Sequence, residues 1–177
     1  MSVPGIEVSN LESLAMREQI LRREQLLDGT PEVVFLFFAD AHNLEAITPP
    51  LLRFRVITPR PLVMREGALI DYRLRIRGLP IRWRTRIESW QPSVRFVDTQ
   101  IKGPYALWHH THEFEPQPGG CTLMIDSVRY AIGFGPLGSI AHRLFVRRDV
   151  EQIFDHRADV IPQLLASFVA TSAPPAA

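Results

Sequence analysis

From Leu52 to Ile132 the chain alternates apolar and polar residues, and this pattern restricts its folding more than any other feature. Ala68, Ile70, Tyr72, Leu74 and Ile76 alternate with Asp71, Arg73, Arg75 and Arg77. Ile81, Trp83, Thr85 and Ile87 alternate with Arg82, Arg84, Arg86 and Glu88. A two-residue loop at Leu79-Pro80 would put Arg77, Arg75 and Arg73 opposite Arg82, Arg84 and Arg86, with both apolar sets on one face. Leu52, Phe54 and Val56 against Arg53 and Arg55 give a shorter strand before them. Further strands are expected over 93–102, 105–115 and 121–132. The turns between them are Gly103-Pro104 and the run Pro116 to Gly120.

The flanking segments read differently. Arg17 to Leu27 is a strand ended by Asp28-Gly29. Thr30-Pro31-Glu32 opens a short helix, VVFLFFAD, apolar nearly all round and so buried, with Thr30 placed to cap free amides. Asp40 to Thr48 forms a second short helix stopped by Pro49-Pro50. After Gly133 to Gly138 a long helix starts at Ser139 and reaches at least Val160. Its apolar stripe holds Val146, Val150, Ile153, Phe154, Ile161 and Leu164, and Pro162 should kink or end it. The order is strand, two short helices, six strands, long helix. One antiparallel sheet of seven strands needs its apolar face covered, and the last helix is the only element large enough. Residues 1–16 read as an extension, 17–166 as one domain and 167–177 as a flexible tail.

Hydrophobic content of 46% with 22% charged residues suits a soluble globular domain, and a net charge of +1 gives no global drive toward nucleic acid or membrane. Cys121 is the sole cysteine, so an intramolecular disulfide and a thiolate metal cluster are excluded. The run from Val33 to Ala39 is too short to span a bilayer. The first residues have no basic start and no continuous apolar segment, so a signal peptide is not expected and the cytoplasm is.

The stretch from Asp98 to Tyr130 departs from an ordinary core strand pattern. Its inward parity carries Asp98, Gln100, Trp108, His110, His112, Met124, Asp126, Val128 and Tyr130. Buried polar groups need partners, so a cavity that holds a ligand is the expectation. His110 and His112 share one strand face. A five-residue loop puts Asp126 opposite His110, and a slip of two residues puts it opposite His112. In either register a carboxylate orients one imidazole and raises its pKa. A pair of this kind either contacts a ligand or simply satisfies itself inside the sheet. His110, His112 and Asp126 are also the candidate acid–base set. An HxH strand with Asp98 or Asp126 suggests a metal, but there is no fourth strong ligand at a defined spacing, and none is expected.

Arg157 falls at the centre of the last helix's apolar stripe, where a guanidinium must pair or snorkel. Asp98 and Asp126 are its natural partners, in a bridge that leaves it able to hold an anionic or carbonyl group. Tyr72, Trp83, Phe96, Trp108, Met124 and Tyr130 are expected as apolar walls. On the outer face, Arg53, Arg55, Arg73, Arg75, Arg82 and Arg84 crowd together. An anionic partner would relieve them, and a solvated face of long side chains is the plainer reading.

The segments Asn43 to Pro50, Trp90-Gln91-Pro92 with Phe96, Asp98 and Gln100, and Gly103-Pro104-Tyr105 carry a resemblance. So do Trp108, His110, His112 and Phe114, then Asp126, Val128 and Tyr130, and Ile153-Phe154 with Arg157. Over roughly residues 17–165 the chain resembles the START-like or SRPBCC superfamily, most of all its bacterial cyclase/dehydrase-type ligand-binding members. The resemblance implies an α+β helix-grip fold, with a curved seven-stranded antiparallel sheet wrapped around the C-terminal helix and an apolar cavity between. It implies binding of a small, largely apolar ligand such as a lipid, isoprenoid, quinone or aromatic polyketide, with no cofactor. Two alternatives stand beside it. One is a cyclase/dehydratase-like enzyme using a His–Asp pair. The other is an accessory protein acting by contact through the arginine face.

Overall fold

The computed structural model describes residues 18–133 and 145–172 of the chain. The expected extension at 1–16, the segment 134–144 and the final residues lie outside them. Seven strands form one antiparallel sheet: β1 (Gln19–Asp28), β2 (Arg55–Val56), β3 (Leu69–Ile76), β4 (Leu79–Gln91), β5 (Arg95–Lys102), β6 (Leu107–Gln117) and β7 (Cys121–Ala131). Their order is β1-β7-β6-β5-β4-β3-β2, so the first strand crosses to the far edge and the rest form a meander. The crossing is made by α1 (Pro31–Ala39), α2 (Asn43–Ala46) and a 3-10 turn, Pro50–Leu52. The chain closes with α3 (Arg147–Ser172). This is the helix-grip arrangement.

Several expectations are corrected. The β3–β4 hairpin turns at Arg77-Gly78, not Leu79-Pro80, and both turn residues have positive φ, 50° and 84°. Such two-residue turns match the natural strand twist. Asp71 therefore lies opposite Arg84, with Arg73 opposite Arg82 and Arg75 opposite Pro80. The change moves the pairing by an even number, so the apolar sets keep their face. It also lets Arg84 grip Asp71 through two bonds of 2.6 and 2.8 Å. The first outer strand is only Arg55–Val56, because Pro50–Leu52 coils and Arg53 takes a left-handed conformation. Thr30 sits at the N-cap of α1, but its hydroxyl caps no amide. Val34, Phe35, Phe37 and Phe38 of α1 are buried as expected, whereas Leu36 is 59% exposed. Pro162 does not end α3, which runs on to Ser172 through residues placed in the tail.

Bulges in the β4–β5 ladder fall between Arg84 and Thr85 and between Ile87 and Ser89. Bulges bend a strand and reset which side chains face inward. Beyond Ile87 the parity reverses, so Trp90 packs on Phe35 and Phe96 inside the core. The interior has two parts. Under β1, β6 and β7, α1 and the second half of α3 pack a dense core of Leu27, Phe35, Phe38, Phe114, Met124, Ile161 and Leu165. Under β3, β4 and β5 the first half of α3 leaves a space.

Candidate functional site

That space is a cavity of about 740 Å³. Its walls are mostly apolar: Phe54, Ile70, Leu74, Ile87, Phe96, Trp108 and Phe154, with Pro49, Pro50 and Leu52 from the loop before β2. Volume and lining are those of a small-molecule pocket. Its polar side chains include Tyr72, Thr85, Asp98, His110, His112, Gln152, His156 and Arg157.

The strand register assembles a square of titratable groups. Asp98 on β5 lies opposite His110 on β6. His112 lies opposite Asp126 on β7, the slipped pairing of the two considered from the sequence. The loop is shorter than expected: only Pro118, Gly119 and Gly120 separate the strands, with Gly119 and Gly120 at positive φ. Each imidazole then sits between two carboxylates. His110 Nε2 lies 3.1 Å from Asp126 Oδ1, and His112 Nε2 lies 3.2 Å from Asp98 Oδ2. His110 Nδ1 stands 3.5 Å from Asp98 Oδ2. His112 Nδ1 approaches Asp126 Oδ1 to 2.7 Å but without the alignment a hydrogen bond needs, so this contact is one of charge. The rings are 3.7 Å apart, centroid to centroid, and Phe96 stacks on His112 at 4.1 Å.

Burial and charge set the protonation. Burial opposes charge on His112, but Asp126 and Asp98 outweigh it and raise its pKa. Burial and the neighbouring His112 lower His110 by more than the carboxylates restore. Both aspartates resist burial. His112 and His110 hold Asp126 far below the usual carboxylate range, and the same rings with Arg157 lower Asp98. The four groups titrate as one coupled set, in which the carboxylates favour a proton on His112 over one on His110.

Arg157 supplies the balancing charge from the helix, but not by the bridge expected from the sequence. It forms no ion pair with Asp98 or Asp126. Its buried Nε has no hydrogen-bond partner, and its guanidinium carbon lies 5.0 Å from the Phe154 ring centre. Burial lowers its pKa, and the fields of Asp126, Asp98 and Tyr72 oppose that fall.

Of the side chains expected at a ligand, Tyr72, Trp83, Phe96, Asp98, Trp108, His110, His112 and Arg157 line the cavity. The others do not. Gln100 latches the β5–β6 turn, donating to the Tyr105 carbonyl at 2.6 Å and accepting from its amide at 3.3 Å. Met124 belongs to the dense core and Tyr130 packs beside Val128, Val150 and Phe154. Asp126 is not a wall residue and contacts the imidazoles instead. The sequence reading missed Thr85 and the Pro49 to Phe54 wall. Thr85, the one hydroxyl on an otherwise apolar parity, was a usable signal, and it accepts a 3.0 Å bond from the Trp83 indole. Asp98, His110 and His112 offer ligand atoms within 4.8 Å of one another. A metal there would have to displace contacts to carboxylates that both imidazoles already make.

A helix-grip protein with an internal cavity and a polar end is the class that fold and site define. The chain belongs to the family described as polyketide cyclase/dehydrase and lipid transport, whose model matches residues 18–163. No protein of curated function matches the sequence. Among solved structures it is similar to the Zhui aromatase/cyclase of a Streptomyces species, with TM-score 0.71 and 12% identity over 89% of this chain and 100% of that one. It is also similar to norcoclaurine synthase from Thalictrum flavum, with TM-score 0.61 and 12% identity over 91% and 95%. A Thermus thermophilus protein gives TM-score 0.61 and 20% identity over 88% and 100%. Identities this low establish the common fold and no more. No helix among the described residues is long and apolar enough to cross a membrane.

Proposed function

We propose that this protein binds a small, largely apolar molecule carrying at least one polar oxygen, such as a lipid, isoprenoid, quinone or aromatic polyketide, inside its cavity. Arg157 is the observation that carries this reading: a buried guanidinium Nε without an acceptor, in a cavity with mostly apolar walls. Leaving such a donor unpaired costs about 1–3 kcal/mol, which a ligand oxygen would recover. Asp98, His110, His112 and Tyr72 line the same space. Cytoplasmic residence belongs to the same proposal. A cyclase-type reaction would need an imidazole nitrogen open to its substrate. Here every ring nitrogen of His110 and His112 faces a carboxylate, which favours binding over general-base catalysis.

Trp83 and Trp108 line the cavity, so their fluorescence reports its occupancy. Titration with farnesol and with the hydrocarbon farnesene should quench both, with farnesol tighter by roughly 5- to 150-fold, the equivalent of the 1–3 kcal/mol recovered at Arg157. Arg157→Met should bind the two equally. Failure of both probes to bind the wild type would refute a ligand cavity. An unchanged preference in Arg157→Met would remove Arg157 from the site.

A further inference from the structure

Beside the cavity, along the chain before β2, lies an open groove of about 790 Å³ lined by Arg53, Arg55, Arg73 and Arg75 together with Glu45. Its construction is costly in three respects. Arg55 lies directly opposite Arg73 across β2 and β3, and Arg73 directly opposite Arg82 across β3 and β4. Like charges so placed repel. Arg53 is held at a φ of 45°, a left-handed conformation that a residue with a Cβ seldom takes. The local anions are already used: Glu45 pairs with Arg55, and Asp71 with Arg84. Arg53, Arg73 and Arg75 have no ion pair with any described residue. Three unpaired guanidinium groups around one concavity suit a phosphate, whose oxygens match the donor fork of arginine.

The groove and the cavity share a wall. Thr48, Pro49, Pro50, Phe54 and Leu74 line both. We infer that the ligand class is an amphiphile bearing a phosphate or diphosphate, with its apolar part in the cavity and its anionic end on Arg53, Arg73 and Arg75. The inference rests on the cavity reading above and adds the second half of the ligand.

The test compares farnesyl diphosphate, farnesol and inorganic pyrophosphate by tryptophan quenching and calorimetry, using the full chain. The diphosphate should bind at least 10-fold tighter than farnesol at low salt, and the advantage should shrink as salt rises. The double variant Arg73→Gln/Arg75→Gln should lose that advantage while its farnesol affinity stays unchanged, which also shows that it folds. Equal affinity of the wild type for farnesol and farnesyl diphosphate would overturn the inference and leave the cavity reading standing. So would an advantage that survives in the groove variant and vanishes in Arg157→Met. Pyrophosphate binding as tightly as farnesyl diphosphate would also overturn it, because the groove would then hold free anions independently of the cavity. If neither farnesyl compound binds, the cavity reading falls and the inference goes with it.

Discussion

Asp126→Asn tests the charge arrangement of the site in the most direct way. Asp126 is 8% exposed, and one of its oxygens stands 3.1 Å from His110 and 2.7 Å from His112. The amide keeps the shape and removes the charge that raises the pKa of His112 most. Breaking a buried ion pair by removing one partner costs about 3–5 kcal/mol. For a domain of this size that is roughly 6–20 °C in Tm. The cost must depend on pH with a definite sign. His112, whose folded pKa is raised, contributes stability that is complete below its ordinary value and lost as pH rises through the folded one. Asp126, whose folded pKa is lowered, contributes stability that is present above its ordinary value and lost as pH falls. The deficit of the variant should therefore peak near pH 5–6, between the ordinary pKa values of Asp and His, and narrow as pH rises through the raised pKa of His112. Urea unfolding of both proteins at pH 5.5, 7 and 9 measures this, read as the midpoint shift at constant slope. A loss below about 1 kcal/mol, or one independent of pH, would refute a His112 whose pKa is raised by the two carboxylates around it.

Other substitutions probe the frame around the site. A Cβ at Gly103 would meet the Gln100 side-chain oxygen at 2.2 Å, so Gly103→Ala should break the latch on Tyr105 and cost about 1–2 kcal/mol in chemical denaturation. In a Gln100→Ala background the same change should be nearly neutral, and an undiminished cost there would place the strain elsewhere. Pro162→Ala restores an amide inside α3 and should raise stability by about 1–3 kcal/mol in urea unfolding; a fall in the midpoint would refute a strained Pro162.

Much of this molecule was legible in residue order because its signals are local. Alternation in β3 and β4 assigned faces correctly even though the hairpin turn was misplaced, since a shift by an even number of residues preserves parity. The β6–β7 register was open between two choices for the same reason, and both kept Asp126 on the histidine face. Near Trp90 a bulge reverses the alternation that β4 shows up to Ile87, and no local pattern announces a bulge there. Gln100 had the right parity but turned to the backbone of its own turn.

The sequence alone determined the antiparallel sheet, the single covering helix and the inward placement of Asp98, His110, His112, Asp126 and Arg157, because periodicity and burial preference act residue by residue. Only the tertiary structure decided what those groups do with one another. It closed the histidines and aspartates into a square whose excess negative charge Arg157 offsets, left the Arg157 Nε over Phe154 without a hydrogen bond, and set the arginine groove against the cavity wall. Those outcomes depend on register, on bulges and on where the last helix stops short of the sheet, and each is fixed by contacts between residues far apart in the chain.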